Sequence, residues 1–422
     1  MKTSVKASGH GFGIMVSFVF VVLLVPAPCR AQSRLSLQEA VNKALESRAS
    51  LKAEAEQVSI AQGLEKQAAL IANPVLQLEN QNLRSGQTYA RDVDTYAYLT
   101  QPLDLLGKRK QRIAVAEEGV NRTQAGYELT RRQIVQRVRL FYWEARGAQE
   151  KRDLLKATVD NFQKIIDYQS AQLSVGAISE QDLLRVRLEG ERLKIAADLA
   201  VIEATRGRVQ LLREMGQIDF AEVLLTEPLD TNTITIEPID IRQVLIQRIE
   251  MKVANVAVEE AQAKSRLQDV SARPDLNILY GYKRTQLVDA TSGVNTAMVG
   301  VQITLPVTDR NQGNRAAATA EVLRQQQLVA ATEAEVRADY FGALQEYQLR
   351  RNEVVETLRP LREHATTISE IAQAAYAQGG TELLRLLDAE RARLDAEFAY
   401  VEGMTEYQQS IANLQAAEGG TP

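Results

Sequence analysis

The sequence predicts a mainly α-helical chain with a small β part, a tandem repeat in which very long coiled-coil helices run on from a few short strands. Three observations predict it. Ile113, Val120, Tyr127, Ile134, Phe141, Ala148, Leu155 and Phe162 recur at every seventh residue without a break, which keeps one helix face turned towards a neighbour along its whole length. Four stretches elsewhere switch to the period-two alternation of strands. The whole arrangement then recurs at an offset of roughly 200 residues, and an internal repeat outranks any other reading of organisation.

The chain opens on a secretory signal over residues 1–31. Lys2 and Lys6 supply the positive start, Ile14 to Val25 the apolar run, and Cys29-Arg30-Ala31 a small-x-small end. The apolar run is too short to cross a bilayer as a helix. Cys29 is the only cysteine, so disulfides are excluded. Lipidation of Cys29 is the alternative to its loss with the signal, but Pro26-Ala27-Pro28 fits a lipobox poorly.

The first repeat spans 32–216. Ser36-Leu37-Gln38-Glu39 reads as a capping box and opens a helix that stops near Asn73-Pro74. Pro74 to Leu83 alternates, Leu76 and Leu78 facing one way and Gln77, Glu79 and Gln81 the other. A polar loop with Gly86 leads to a returning strand, Thr95 to Leu103, with Tyr96 and Tyr98 on one face. The long helix begins at Lys108 and contains no proline up to Val175. At 1.5 Å per residue it would be about 100 Å long, so it must pack against other rods. An ordinary two-stranded coiled coil and a barrel of helices both satisfy that demand; the small and charged residues between the repeat positions favour the barrel. Gly176 turns the chain, and Ser179 with Asp182 caps a helix returning to about Met215.

Residues 217–239, with Pro228 and Pro238, carry no helical period and read as a connecting segment. The second repeat spans 240–415. Asp240 caps a helix as Ser36 does, and Arg273-Pro274 answers Asn73-Pro74. Leu276, Ile278, Tyr280 and Tyr282 share one strand face, and Ala297, Val299, Val301, Ile303 and Leu305 another. A long helix from about Arg315 carries Val322, Val329, Val336 and Ala343, skips to Tyr347, then continues through Val354, Leu361, Ile368 and Ala375. Gly379-Gly380 makes the turn, a last helix returns to about Leu414, and 416–422 read as a tail. Val138-Arg139 and Val336-Arg337 are followed at equal distance by Tyr142 and Tyr340, which read as packing residues.

Each strand is long enough to cross a bilayer when tilted. Four strands cannot close a barrel, and open edges in lipid leave backbone groups unsatisfied at several kcal/mol each, so other copies of the chain must complete it. The competing reading is a pair of soluble hairpins capping a coiled coil, for which the two-faced alternation would be wasted.

Composition excludes other classes. Net charge is -4, which offers no basic field for nucleic acid. His10 lies in the signal and His364 stands alone, so no histidine triad or zinc spacing exists. No phosphate-binding loop or dinucleotide fingerprint occurs. The chain reads as a non-enzyme without cofactor or resident metal.

The exported start, the tandem repeat, the Asn73-Pro74 strand entry and the Gly-containing helix tips together resemble the outer membrane efflux protein family, the TolC-like channels of Gram-negative bacteria. The resemblance covers essentially the whole mature chain. Residues 101–109, Gln-Pro-Leu-Asp-Leu-Leu-Gly-Lys-Arg, look most like the subgroup serving cobalt–zinc–cadmium resistance pumps.

The resemblance implies a homotrimer: a β-barrel in outer-membrane lipid and an α-barrel crossing the periplasm to meet an adaptor protein and an inner-membrane RND pump. It implies a passive duct, for divalent heavy-metal cations or, as the nearest rival, organic toxicants. A periplasmic coiled-coil scaffold is the rival from another class. By the resemblance, residues 174–184 and 378–387 are tips that dock the adaptor, through Val175, Gly176, Ser179, Leu183, Leu184, Gly379, Gly380, Leu386 and Leu387. Asp388 falls on a gate aspartate, Asp182 on a network aspartate and Tyr376 on its tyrosine partner. Arg385 and Thr381 depart from the pattern, standing where an inward aspartate and a network arginine are expected; Arg385 would neutralise Asp388 within a helical turn.

Overall fold

The computed structural model describes residues 33–83, 85, 93–230, 233–285 and 293–420. The signal stretch 1–31 with Cys29, and most of the loop containing Gly86, lie outside them. The two repeats are visible as successive halves. The first comprises β1 (Ser33–Leu35), α1 (Leu37–Ser47), α2 (Ala49–Ala68), β2 (Val75–Gln81), β3 (Asp94–Leu103), α3 (Lys108–Ser174) and α4 (Glu180–Glu214). After β4 (Val223–Leu225) the second comprises α5 (Ile241–Gln247), α6 (Ile249–Ser271), β5 (Asp275–Thr285), β6 (Val294–Thr304), α7 (Gln312–Asn352), a π-helical segment (Glu353–Leu358), α8 (Arg359–Ala377) and α9 (Leu383–Ala417).

The Ser36 box forms as expected: Glu39 N donates to Ser36 Oγ at 3.3 Å and Ser36 N to Glu39 Oε2 at 2.9 Å. The helix it opens is not continuous to Asn73. It breaks at Arg48, whose ψ of 115° is extended, and the second repeat breaks identically at Arg248, ψ 126°. Neither break has a proline or glycine. Both arginines instead reach the C-terminal carbonyls of a return helix. Arg48 Nη1 donates to Glu214 O (2.5 Å) and Arg248 Nη1 to Ala417 O (3.2 Å), satisfying groups left orphaned at a helix end. The glycines beside them, Gly216 (φ +73°) and Gly419 (φ +75°), close those ends in the left-handed conformation. A Cβ on Gly419 would lie 2.8 Å from Gln247 C, so the close approach itself requires glycine. Residues 416–417 therefore finish α9 and 418–420 turn back onto the kink, with Arg132 donating to Gly419 O (3.0 Å).

The four long strands form one antiparallel sheet in the order β2-β3-β5-β6. Register places Leu76 opposite Leu99, Leu99 opposite Tyr280, and Tyr280 opposite Val299, so one apolar face runs across all four strands. Tyr280 and Tyr282 lie on it, and Val299 (80% exposed) and Val301 (62%) point to no protein partner. Tyr96 and Tyr98 take the opposite face with Lys283, whose Nζ lies 3.3 Å from Asp94. Gly281 pairs with Tyr98, and any Cβ there would sit 2.4 Å from Ala97 O. β2 and β6 are edges.

The connecting segment is more ordered than its sequence suggests. β4 pairs in parallel with β1, Leu35 opposite Leu225. Tyrosine hydroxyls of the long helices hold the backbone on either side. Tyr142 donates to Leu35 O (2.9 Å) and accepts from Glu227 N (3.2 Å); Tyr347 accepts from Ile236 N (3.0 Å); Tyr340 donates to Ile239 O (2.9 Å) and accepts from Ile239 N (2.8 Å). Burial raises the Tyr142 hydroxyl above its ordinary pKa, keeping it a donor. Tyr142 stands 35 residues after Gly107 and 34 before Gly176, Tyr347 36 after Asn311 and 32 before Gly379. By height along the rod Tyr347 is thus the counterpart of Tyr142, and the Val-Arg spacing that selects Tyr340 is displaced by two turns.

The second long helix also differs from its expected stripe. Val354 is buried, but Leu361 (46%) and Ile368 (56%) are exposed, while Leu358, Ala365 and Ser369 are buried instead. The π-helical turn carries an extra residue and rotates the following face out of register.

Removing the Tyr340 hydroxyl leaves the Ile239 N–H and C=O without that partner, and removing the Tyr347 hydroxyl leaves the Ile236 N–H without its own. Tyr340→Phe and Tyr347→Phe should each lower stability by about 1–3 kcal/mol, read as a shift in the denaturant midpoint of the helical circular-dichroism signal, with secondary structure unchanged below the transition.

Candidate functional site

The far ends of the two helical hairpins form the candidate site, and both turns use one device. Gly176 (φ +74°) and Gly379 (φ +72°) adopt the left-handed conformation. Ala177 N donates to Gln172 O (2.9 Å) and Gly380 N to Ala375 O (2.8 Å), closing α3 and α8. Ser179 then caps α4, accepting from Asp182 N at 3.2 Å and donating to Asp182 Oδ2 at 2.7 Å. Glu382, at the start of α9, makes no side-chain cap.

Packing separates the expected docking residues into two groups. Val175 (78%) and Leu184 (55%) are exposed, together with Gly176, Ser179, Gly379 and Gly380. Leu183, Leu386 and Leu387 are 3–5% exposed. Leu387 joins Phe162 and Val186 in a small core that glues the hairpins together. These three leucines are corrected from surface to interior: on a helix whose opposite face meets a neighbour, an apolar residue near the tip is drawn inward.

Polar ties join the hairpins beside this core. Gln169, fully buried, donates to the Tyr376 hydroxyl at 2.6 Å. Tyr376 thus meets Gln169, and Asp182 meets Ser179; the two expected network partners do not hydrogen-bond to each other. Arg391 donates through Nε to Glu189 Oε1 at 2.9 Å and through Nη2 to Glu189 Oε2, a bidentate pair between α4 and α9. Those hydrogen bonds from Arg391 hold the Glu189 carboxyl below the usual carboxylate range against the opposing effect of burial, and Arg192 at 3.6 Å adds to them. Glu390 is also buried. Desolvation alone would raise it, but donors from Ser369 (2.6 Å), Gln373 and Arg393 (3.1 Å) outweigh burial and lower it.

Asp388 is exposed, and its ionic neighbour is Arg391 at 3.9 Å. Arg385 is exposed and forms no ion pair among the described residues, so the expected neutralisation by Arg385 is not made. Thr381 sits half-buried at the turn.

Sequence reasoning missed Gln169, Glu189, Glu390 and Arg391. The signal was present. Gln169 is the next seventh residue after Phe162, and Glu189 and Glu390 each stand three residues after a buried Val186 or Leu387. A polar residue on an otherwise apolar stripe marks a partnered interior group. Among the described residues no group of His, Cys, Asp or Glu could hold a metal ion, and no helix is long and apolar enough to cross a membrane.

The profile of the family described as Outer membrane efflux protein matches residues 40–212 and 241–420, one stretch in each repeat. The chain belongs to the outer membrane efflux protein family. It is an outer-membrane efflux channel of the kind found in tripartite systems, reaching into the periplasm. Among relatives, this channel is 26% identical over 384 residues to the cobalt-zinc-cadmium resistance protein CzcC of Cupriavidus metallidurans, covering 90% of this chain and 88% of that one. Its fold is that of a membrane protein from Pseudomonas aeruginosa (TM-score 0.74, 19% identity, 93% of this chain and 98% of that chain). It matches equally the outer membrane channel MtrE of Neisseria gonorrhoeae in an open state (0.73, 19%, 91% and 89%) and CusC (0.73, 19%, 91% and 92%). The efflux-channel fold thus carries the tips described above at the ends of the helical hairpins.

The lowered Glu189 carboxyl makes the tie between the hairpins pH-dependent. Its stabilisation is fully present above the ordinary value of 4.5 and is lost as pH falls below that through the lowered folded value. Amide protection factors in α4 and α9, corrected for the intrinsic rate, should fall below pH 4.5 in the native channel, and Glu189→Gln should reduce that fall, leaving the part due to Glu390.

Proposed function

We propose that three copies of this chain form a passive exit duct for divalent heavy-metal cations, fed by an inner-membrane RND pump through a periplasmic adaptor that docks at the hairpin tips. The observation that carries the metal assignment is the match to a cobalt-zinc-cadmium resistance protein over 90% of this chain. The open edges of β2 and β6 support the assembly, because each needs a strand from another copy before it can lie in lipid. The exposed apolar stripe of α4, with Leu188, Ile195 and Ile202, and that of α8, with Leu361 and Ile368, support it as well, since each lacks a partner within one copy.

In the trimer Asp388 is repeated three times at one height. If its exposed carboxylates face the lumen they form a ring that attracts cations at the narrow end, the like-sign focusing used by cation pores. Arg391, 3.9 Å from Asp388, also makes the bidentate pair with Glu189, and Arg385 stands exposed one turn before Asp388. The exposed docking surface reduces to Val175, Ser179, Leu184 and the two glycine turns, with Leu183, Leu386 and Leu387 supporting it from inside.

Deleting the gene should raise cellular zinc, cobalt or cadmium and lower the tolerated metal concentration several-fold, leaving tolerance to organic toxicants unchanged; the reverse pattern assigns the duct to organic cargo. Val175→Asp, placed on the exposed tip, should abolish metal resistance while trimer abundance in the outer membrane stays normal. In planar bilayers Asp388→Asn should move the reversal potential in a salt gradient towards zero, whereas an unchanged potential removes Asp388 from the conduction path.

A further inference from the structure

The end of the sheet where every strand meets a helix has an unusual surface. Four junctions, at residues 69–74, 104–107, 272–274 and 305–311, are tied into one level. Arg109 donates to Ala69 O (2.8 Å), Lys108 meets Asp275 (2.7 Å), Arg273 donates to Leu106 O (2.7 Å), and Asn311 donates to Gln268 O (2.9 Å). At this level Ile71 (68% exposed), Leu105 (70%), Leu305 (69%) and Val307 (69%) have no apolar partner. Leu105 and Leu305 come two residues after Leu103 and Ile303, at the end of the sheet's apolar face, and Val307 follows through a tight turn in which its N donates to Leu305 O (3.0 Å).

Cations stand just beyond them. Three carboxylates at this level are paired, Asp275 with Lys108, Asp104 with Arg112 (3.8 Å) and Asp269 with Arg315 (2.7 Å), while Asp309 accepts from Asn311 N (2.9 Å) and keeps its charge. Lys110, Arg273 and Arg310 are exposed and have no carboxylate partner among the described residues. The Arg310 guanidinium donates to Val307 O (3.3 Å). Uncompensated positive charge is therefore gathered here in a chain whose net charge is -4.

We propose that this belt is a binding surface for anionic phospholipids of the periplasm-facing leaflet. Acyl chains lie on Ile71, Leu105, Leu305 and Val307, and the phosphate of the headgroup is held by Lys110 and Arg310. The arrangement is continuous with the lipid-facing side of the sheet, and its charge is complementary to a phosphodiester. The inference rests on placement in the outer membrane and is independent of which cargo the duct carries.

The test uses the delipidated full-length channel in neutral detergent, titrated with phosphatidylglycerol or with phosphatidylcholine of identical chains, and bound lipid counted by native mass spectrometry. Phosphatidylglycerol should bind the more tightly. At about five-fold per cation, the K110Q/R310Q double variant should bind it roughly 25-fold more weakly, and phosphatidylcholine, whose choline offsets its phosphate charge, should lose much less. Leu305→Ser should weaken both lipids alike. If the double variant fails to assemble, Lys110→Gln alone carries the reading at about five-fold. Equal binding of the two lipids, a variant that keeps the preference, or full competition by an equal concentration of inorganic phosphate would each overturn the proposal.

Discussion

Everything in this architecture depends on backbone hydrogen bonding at two sheet edges. A four-stranded antiparallel sheet with one continuous apolar face has nowhere stable to go as a monomer: in water the face is exposed, and in lipid the unpaired N–H and C=O groups of β2 and β6 are costly. Only closure with further copies removes both penalties. Closure fixes the spacing of the strands, and because each strand runs straight into a helix, it also fixes the spacing of the helices below. The dimensions of the tube are thus set in the membrane and carried downward by α3 and by α7 with α8.

Long rods need lateral restraint, and two repeated devices supply it. Arg48 and Arg248 seal the return helices against the kinks of the entry helices, each spending a guanidinium on helix-end carbonyls that would otherwise be bare. Tyr142, Tyr340 and Tyr347 hold the extended linker by its own N–H and C=O groups, so that a segment without regular structure still has its backbone satisfied. Further down, the restraint passes to the Phe162–Val186–Leu387 core and to the Glu189–Arg391 and Gln169–Tyr376 ties. Burial along α3 and α9 runs between these levels as well, largely through small and aliphatic side chains, which is how a slender molecule stays ordered with so few aromatic residues.

Much of this was legible in the residues. The Ser36 and Ser179 caps, the glycine reversals at the tips, the alternating strands and the duplication all have local signatures, and the family resemblance follows from them. What was not legible depends on partners distant in sequence. The β1–β4 pair has three residues per strand and no period to read. The kinks at Arg48 and Arg248 carry no helix breaker and exist because the guanidinium is needed elsewhere. Leu183, Leu386 and Leu387 could serve equally as core or as contact surface, and only the helix across from each decides, as Phe162 does for Leu387. The stripe through Leu361 and Ile368 failed because the π-helical turn lies within a sequence that still looks α-helical.

That turn also makes the two descending rods mechanically unequal. α3 runs 67 residues with an uninterrupted ladder of intrahelical bonds, a stiff strut from membrane to tip. Its counterpart is interrupted at Glu353–Leu358, and Pro360, at the start of α8, removes one further donor from the ladder there. The same load therefore bends one rod before the other. Within each copy a push on the tips therefore meets one stiff descending leg and one jointed one, with α4 and α9 returning unbroken beside them.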